Sequence, residues 1–525
     1  MIAPLIDWGT SMATVQVEDN YFDIEAIHGA WSAGFLRKTS ATKYTLSRDD
    51  GTSYGMELVG SGFQYTKSGD IKAGTIKSIS LIHVDGSTQW TMSGLSLNAN
   101  AFRIALTDSS FDDKGPLLKL FAPIALTVYG ASLDDKFFGG QKADTFLGSF
   151  GSDTFVGGSG KDAIDGGIGD YDVVDYSRES GGRAIKVDLE KGTATDTYGF
   201  VDSIKNVELI IGTGKADSFM GSKTASYEAF SGGAGADIIN GGGGTHNTVR
   251  YDITASTGVI VELAGNPDGS GFGRSLSPLE DDRLIGIQDV VGTRSDDTII
   301  GSNENNILSG LAGADHLDGG RGIDTVDYSL ETGWGTGIRV NLEQSSGYDL
   351  MGKKDDLISI ENVTGSGSRD FITGSQIRNT LFGLDGNDTL RGLAGNDRLS
   401  GGDGADILFG GLGKDILTGG SGHDTFVFDS TPNAVSNVDR IVDFSVSDDR
   451  IRLDHPVFAA LAKGHLTSDA FIIGAKATDA DHRILYNSKT GAVSYDADGN
   501  GGASAVQFAT LDANLKLTAD DFYVL

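Results

Sequence analysis

Between residues 379 and 428 a large apolar side chain recurs at every ninth position: Leu390, Leu399, Leu408, Leu417 and Phe426. The residues between them are mostly glycine, aspartate and small polar types. An amphipathic helix would need apolar residues three and four apart, so this spacing leaves a short strand in each copy, bounded by glycine turns. A longer period overlies the short one. About 75 residues recur three times, opening with VVDYS (173–177), TVRYD (248–252) and TVDYS (325–329). These copies close with IKNVELIIGTGKAD, IGIQDVVGTRSDD and ISIENVTGSGSRD. Each holds an excursion such as AIKVDLE (184–190), whose alternation of apolar and polar residues predicts further strand. Residues 1–130 show no repeat. There KYTLSRDDGTSYGMEL and TIKSISLIHVDGSTQW predict hairpins turning at Asp50-Gly51 and Asp85-Gly86.

The nine-residue register carries chemistry. One glycine series falls at Gly383, Gly392, Gly401, Gly410 and Gly419, and a second at Gly386, Gly395, Gly404, Gly413 and Gly422. Aspartates keep step at Asp388, Asp397, Asp406, Asp415 and Asp424, preceded by Asn379 and Asp370. The register also contains Asp135, Asp144, Asp153 and Asp162, then Asp172 after a one-residue slip. It returns at Asp297, Asn306, Asp315 and Asp324, and more loosely at Asp217 and Asp237, beyond which His246 takes the next position. Asp439 and Asp443 fall outside it. Glycine tolerates the left-handed backbone of a tight turn, and such turns expose carbonyls beside the carboxylates. Six to eight oxygens of this kind suit Ca²⁺.

This pattern, GGxGxDxUx, resembles the RTX family of haemolysin-type calcium-binding repeats. The resemblance implies an all-β fold of right-handed parallel β-roll or β-helix segments, in which two nonapeptides complete a coil and residues 18 apart stack. It implies several Ca²⁺ ions held between successive turns. The side-chain ligands it assigns are Asp144, Asp153, Asp162, Asp172, Asp237, Asp297, Asp315, Asp324, Asp370, Asp388, Asp397, Asp406, Asp415 and Asp424. Backbone carbonyls near Gly383, Gly386, Gly392, Gly395, Gly401, Gly404, Gly410, Gly413, Gly419 and Gly422 complete the set. The domains expected are a β-sandwich-like module of unassigned role (1–130), three degenerate cassettes with strand-rich inserts (131–378), a regular roll (379–428) and a β-rich cap (429–525).

Composition narrows the function. Acidic residues number 73 against 41 basic ones, for a net charge of −32. Such a surface repels nucleic acid and attracts cations. The absence of cysteine excludes disulfides and thiolate metal sites. No apolar run is long enough to cross a membrane as a helix. The start, MIAPLIDWGTSMATVQV, lacks the basic and apolar regions of a signal peptide, so export would take another route.

The last hundred residues resemble the C-terminal domain of serralysin-type secreted proteins. The carrying stretches are DTFVFDS, DRIVDFSVSDDRIRLD, ILYNSKTGAVSYDADGNGGASAVQFATL and LTADDFYVL. The resemblance implies an uncleaved type I secretion signal in DDFYVL, recognised by a type I secretion machinery of a Gram-negative bacterium. YDADGNG offers Asp496 and Asp498 as a further calcium loop. The eight histidines form no HExxH, so the zinc protease site is missing. GxSxG occurs at 51–55, around Ser53, but Asp50-Gly51 opens a hairpin and not a nucleophile elbow, so no catalytic residue is assigned. The reading is a secreted calcium-binding protein in adhesion or matrix, with extracellular polysaccharide or the cell surface as partner. The alternative is a secreted hydrolase or polysaccharide-modifying enzyme with its catalytic part in 1–130. An exposed aromatic strip of Trp31, Trp90 and Tyr54 would favour binding there.

Overall fold

The computed structural model describes the strands Met12–Val17, Phe35–Lys38, Lys43–Ser47, Gly55–Tyr65, Ile71–Ile82 and Thr88–Asn98. It also describes residues 125–525 except 131–133, 170, 226, 265–269, 277–278 and 332–336. Strands dominate throughout, and the helical elements among these residues are single turns. No helix among them is long and apolar enough to cross a membrane. The chain forms two compact units, 1–254 with 281–287, and 255–280 with 288–525.

The second unit contains the regular repeats. Thr389–Arg391, Ile407–Phe409 and Thr425–Phe428 pair in parallel in one sheet, and Thr380–Asp385, Arg398–Gly404 and Ile416–Gly422 in the other. Every register partner is 18 residues away (Leu390 with Leu408, Leu399 with Leu417), so two nonapeptides make one coil. Alternation along each three-residue strand points its central side chain inward. Leu390, Leu399, Leu408, Leu417 and Phe426 are accordingly buried between the sheets. The turns need glycine for a steric reason as well as a conformational one. Gly404 has φ +146°, and a Cβ there would strike the Gly386 carbonyl oxygen of the preceding coil.

The inserts enter one sheet only. In the second unit, Arg339–Asn341, Ser346–Tyr348 and Lys354–Ile358 form an antiparallel meander. Its outer strands pair in parallel with His316–Gly320 on one side and Phe371–Thr373 on the other. The opposite sheet passes directly from Thr325–Asp327 to Asn362–Thr364. The first unit repeats this with Lys186–Asp188, Thr193–Thr195 and Val201–Lys205.

The N-terminal strands of the first unit form a meander, pairing antiparallel from Phe35–Lys38 through Thr88–Asn98, which then pairs with Met12–Val17. Met12–Val17 pairs in parallel with Ala125–Tyr129, and that strand with Thr145–Phe150 of the first coil. These described strands belong to one sheet, and the segments between them lie outside the described residues. The turns at Asp50-Gly51 and Asp85-Gly86, and Ser53, Trp31 and Tyr54, lie outside the described residues, as does the side chain of Trp90.

Beyond the repeats, Asp439–Ile441 and Arg450–Leu453 add one more rung to the two sheets of the second unit. Val506–Thr510 and Phe522–Val524 add another.

Candidate calcium sites

The aspartate after each glycine turn is buried, and its carboxylate is held alike from coil to coil. Oδ1 accepts a backbone N–H from the ladder residue one coil earlier. On one edge the N–H of Asp370 donates to Asp388 (2.7 Å), that of Asp388 to Asp406 (2.7 Å) and that of Asp406 to Asp424 (2.9 Å). On the other, Asn379 donates to Asp397 and Asp397 to Asp415, each at 2.8 Å. In the first unit Asp135 donates to Asp153, Asp144 to Asp162 and Asp153 to Asp172. Asp297, Asp315 and Asp324 continue the pattern in the second, and Asp217 and Asp237 in the first.

Oδ2 behaves differently. In Asp153, Asp162, Asp315, Asp324, Asp388, Asp397, Asp406, Asp415 and Asp424 it is buried without a hydrogen-bond partner. It faces further acceptors. A Cβ on Gly383 would meet both Asp388 Oδ2 and the Gly401 carbonyl oxygen, and one on Gly392 both Asp397 Oδ2 and the Gly410 carbonyl. Carboxylate and carbonyl oxygens thus border a space that glycine alone leaves open. Buried polar atoms are normally satisfied, and oxygens converging without a donor fit a hard cation. Among the described residues no three acidic or imidazole side chains converge. Backbone carbonyls would therefore supply much of each coordination shell.

The same burial alters proton affinity. Desolvation first, and repulsion by stacked neighbours second, push Asp162, Asp315 and Asp388 up to about 8, and Asp153 and Asp397 to about 7. Asp406 and Asp424 rise to about 6 for the same reasons.

Several ladder positions escape the nine-residue spacing. Asp162 donates its N–H to Asp202 and Asp315 to Asp355, each 40 residues on, across an insert. Asp237 donates likewise to Asp282. Asp172 and Asp324 donate to Glu208 and Glu361, 36 and 37 residues on. The signal for them was their recurrence at matching places in the long repeat. Asp439 is a correction to its expected place outside the register. It accepts the Asp415 N–H at 3.1 Å because the intervening segment lengthens the coil to 24 residues. Asp443 accepts the N–H groups of Gly419 and Gly420 on its two oxygens. Asp496 and Asp498 are joined by a local bond from the Asp498 N–H to Asp496 Oδ1, and Asp498 Oδ2 accepts the Ala503 N–H. Asp496 is buried and Asp498 exposed.

The RTX calcium-binding nonapeptide repeat family matches residues 129–173, 229–245, 291–326, 364–399 and 391–426. The chain carries RTX calcium-binding repeats. Among solved structures, the extracellular lipase LipA from Serratia marcescens is similar at 17% identity, with a TM-score of 0.20. That match covers 45% of this chain and 40% of the lipase, well under two thirds of the enzyme's length. Curated proteins give no match. The RTX repeats bind Ca²⁺ at multiple places along the chain.

Replacing Asp397 and Asp415 together by Ala is expected to raise the calcium midpoint of folding at least about tenfold, equivalent to about 1.4 kcal/mol. Asp443→Ala is expected to shift it much less, since both its oxygens already hold N–H groups. Calcium titration followed by circular dichroism compares them, and equal midpoints would remove the assignment.

Proposed function

We propose that this is a secreted RTX protein whose coils fold on meeting calcium outside the cell, and that it serves in adhesion or matrix at or near the cell surface. The observation that supports this reading is the run of buried, partnerless Oδ2 atoms on Asp153, Asp162, Asp315, Asp324, Asp388, Asp397, Asp406, Asp415 and Asp424. These are the side-chain ligands we propose. A chain built this way stays unfolded where calcium is scarce and orders where it is plentiful, because binding only the native state stabilises it by mass action. That suits an exporter that passes unfolded chain.

Residues 429–525 are proposed to carry the type I secretion signal and to close the end of the roll, as terminal caps do in repeat arrays. Their strands supply the last rungs of both sheets. A chain ending at 428 is expected to stay inside cells that carry a type I exporter, and to need more calcium to fold when purified. Immunoblotting of medium and cells tests the first part and calcium titration the second. Normal secretion of the truncated chain would overturn the export role.

A further inference from the structure

The turns of this chain come in two conformations, and these differ in what they offer a cation. The deciding residue lies four before the ladder carboxylate. Before Asp162, Asp324, Asp406, Asp415 and Asp424 it is Gly158, Gly320, Gly402, Gly411 and Gly420, all with φ between +83° and +116°. Before Asp315, Asp388 and Asp397 it is Leu311, Leu384 and Leu393 at +65°, +75° and +75°, and before Asp153 it is Ser149 at +84°. Bulky non-glycine residues seldom occupy this region. In every one of these turns Oδ2 has no partner.

A second set of turns has Thr, Ser or Gly at that place without a positive φ, and the backbone N–H turns inward. Thr293 donates to Asp297 Oδ2 at 2.6 Å, Ser366 to Asp370 Oδ2 at 2.6 Å, Thr213 to Asp217 Oδ2 at 2.6 Å and Gly140 to Asp144 Oδ2 at 2.8 Å. The hydroxyls of Thr293 and Ser366 add bonds to Oδ1. Ser302 and Ser375 donate in the same way to Asn306 and Asn379, whose Nδ2 groups then donate to the carbonyls of Gln288 and Glu361. At the inserts a third device appears. The buried hydroxyls of Tyr176 and Tyr328 donate to Oδ2 of Asp202 and Asp355.

We infer that the residue four before each ladder carboxylate gates calcium: a left-handed backbone there leaves an open site, and a Thr, Ser or Gly with its N–H turned inward, or a tyrosine hydroxyl on the carboxylate, makes a closed, ion-free turn. The inference rests on the proposed role of the partnerless aspartates and narrows it. Asp144, Asp297 and Asp370 have the sequence register of ligands, yet their second oxygen is already taken. A cation entering there would have to displace an N–H and leave a buried donor without an acceptor, which native interiors avoid. The closed turns therefore act as structural spacers between groups of ion-binding turns.

The test measures calcium bound per full-length chain, by equilibrium dialysis with elemental analysis, with circular dichroism reporting the fold. Thr293→Gly with Ser366→Gly frees both backbones to become left-handed, and bound calcium is expected to rise. Thr293→Val keeps the β-branched constraint on φ but lacks the hydroxyl, and is expected to leave the number unchanged. Gly402→Thr with Gly411→Thr is expected to lower it. Undiminished calcium in a folded threonine chain, or in Gly411→Val alone should the double variant fail to fold, would overturn the gate. A wild-type chain that binds no calcium would instead overturn the reading beneath it. A gain in Thr293→Val equal to that of the glycine chain would assign the gate to the hydroxyl and refute the backbone account.

Discussion

In excess chelator at neutral pH the chain is expected to lose most of its β-sheet signal, and to regain it steeply as calcium returns. The physical reason is the arrangement of carboxylates. Asp388, Asp406 and Asp424 stack on one edge of the roll, and Asp397 and Asp415 on the other, each buried. None of the nine aspartates with a partnerless Oδ2 forms an ion pair among the described residues. Ionised, each leaves an uncompensated buried charge. One large apolar side chain per nonapeptide does not offset both that and the entropy of ordering nine residues. Calcium stabilises the native state by RT ln(1 + [L]/Kd) at each independent site, so even about 1 kcal/mol at each of nine sites amounts to roughly 9 kcal/mol. Because neighbouring sites share coils, the transition should be steep. Circular dichroism across a calcium titration measures it. A β spectrum that persists without calcium would refute the dependence.

Acid is expected to substitute in part for calcium. The folded-state values of Asp162, Asp315 and Asp388, about 8, and of Asp153 and Asp397, about 7, lie above the ordinary aspartate value. The calcium-free fold therefore binds more protons than the unfolded chain, and falling pH favours it. Its stability contribution from these groups is fully present below the ordinary carboxylate range and is lost as pH rises through about 7 to 8. In calcium-free buffer the chain is expected to show more β structure at about pH 5.5 than at about pH 7.5. Protons and calcium compete for the same oxygens, so the calcium midpoint should rise as pH falls. Parallel titrations at the two pH values check both effects. A calcium-free chain that loses structure on acidification would show that the sign is wrong.

The coil was legible wherever its arithmetic stayed simple. Period nine placed Asp388, Asp397, Asp406 and Asp415 in register and Leu399 and Leu408 in the core, because each copy folds by the same local rules. Ladder members separated by an insert were not legible. Asp202, Glu208, Asp355 and Glu361 meet their partners only after three strands of one sheet have been traversed, so linear spacing says nothing about them. Asp439 was missed for a related reason, its coil being lengthened to 24 residues. The state of each carboxylate was hidden at a finer level. Thr293 and Ser366 stand in sequence as plain departures from glycine, and only the direction of their N–H groups shows that Asp297 and Asp370 are already satisfied.

The aspartate ladder has a direction, because the N–H of each ladder aspartate points to the carboxylate of the following coil. Removing the first coil frees the Oδ1 it capped, and also strands N–H groups that bond back to its carbonyls, as that of Thr389 does to Asp370. Removing the last leaves backbone donors unmatched: those of Asp415 and Asp424 are met only by Asp439 and Asp449, beyond the repeats. A buried donor without an acceptor is costly to leave. The segment beyond the repeats is therefore part of the last coil's hydrogen bonding: without it, the two ladder donors that close the stack have no acceptor.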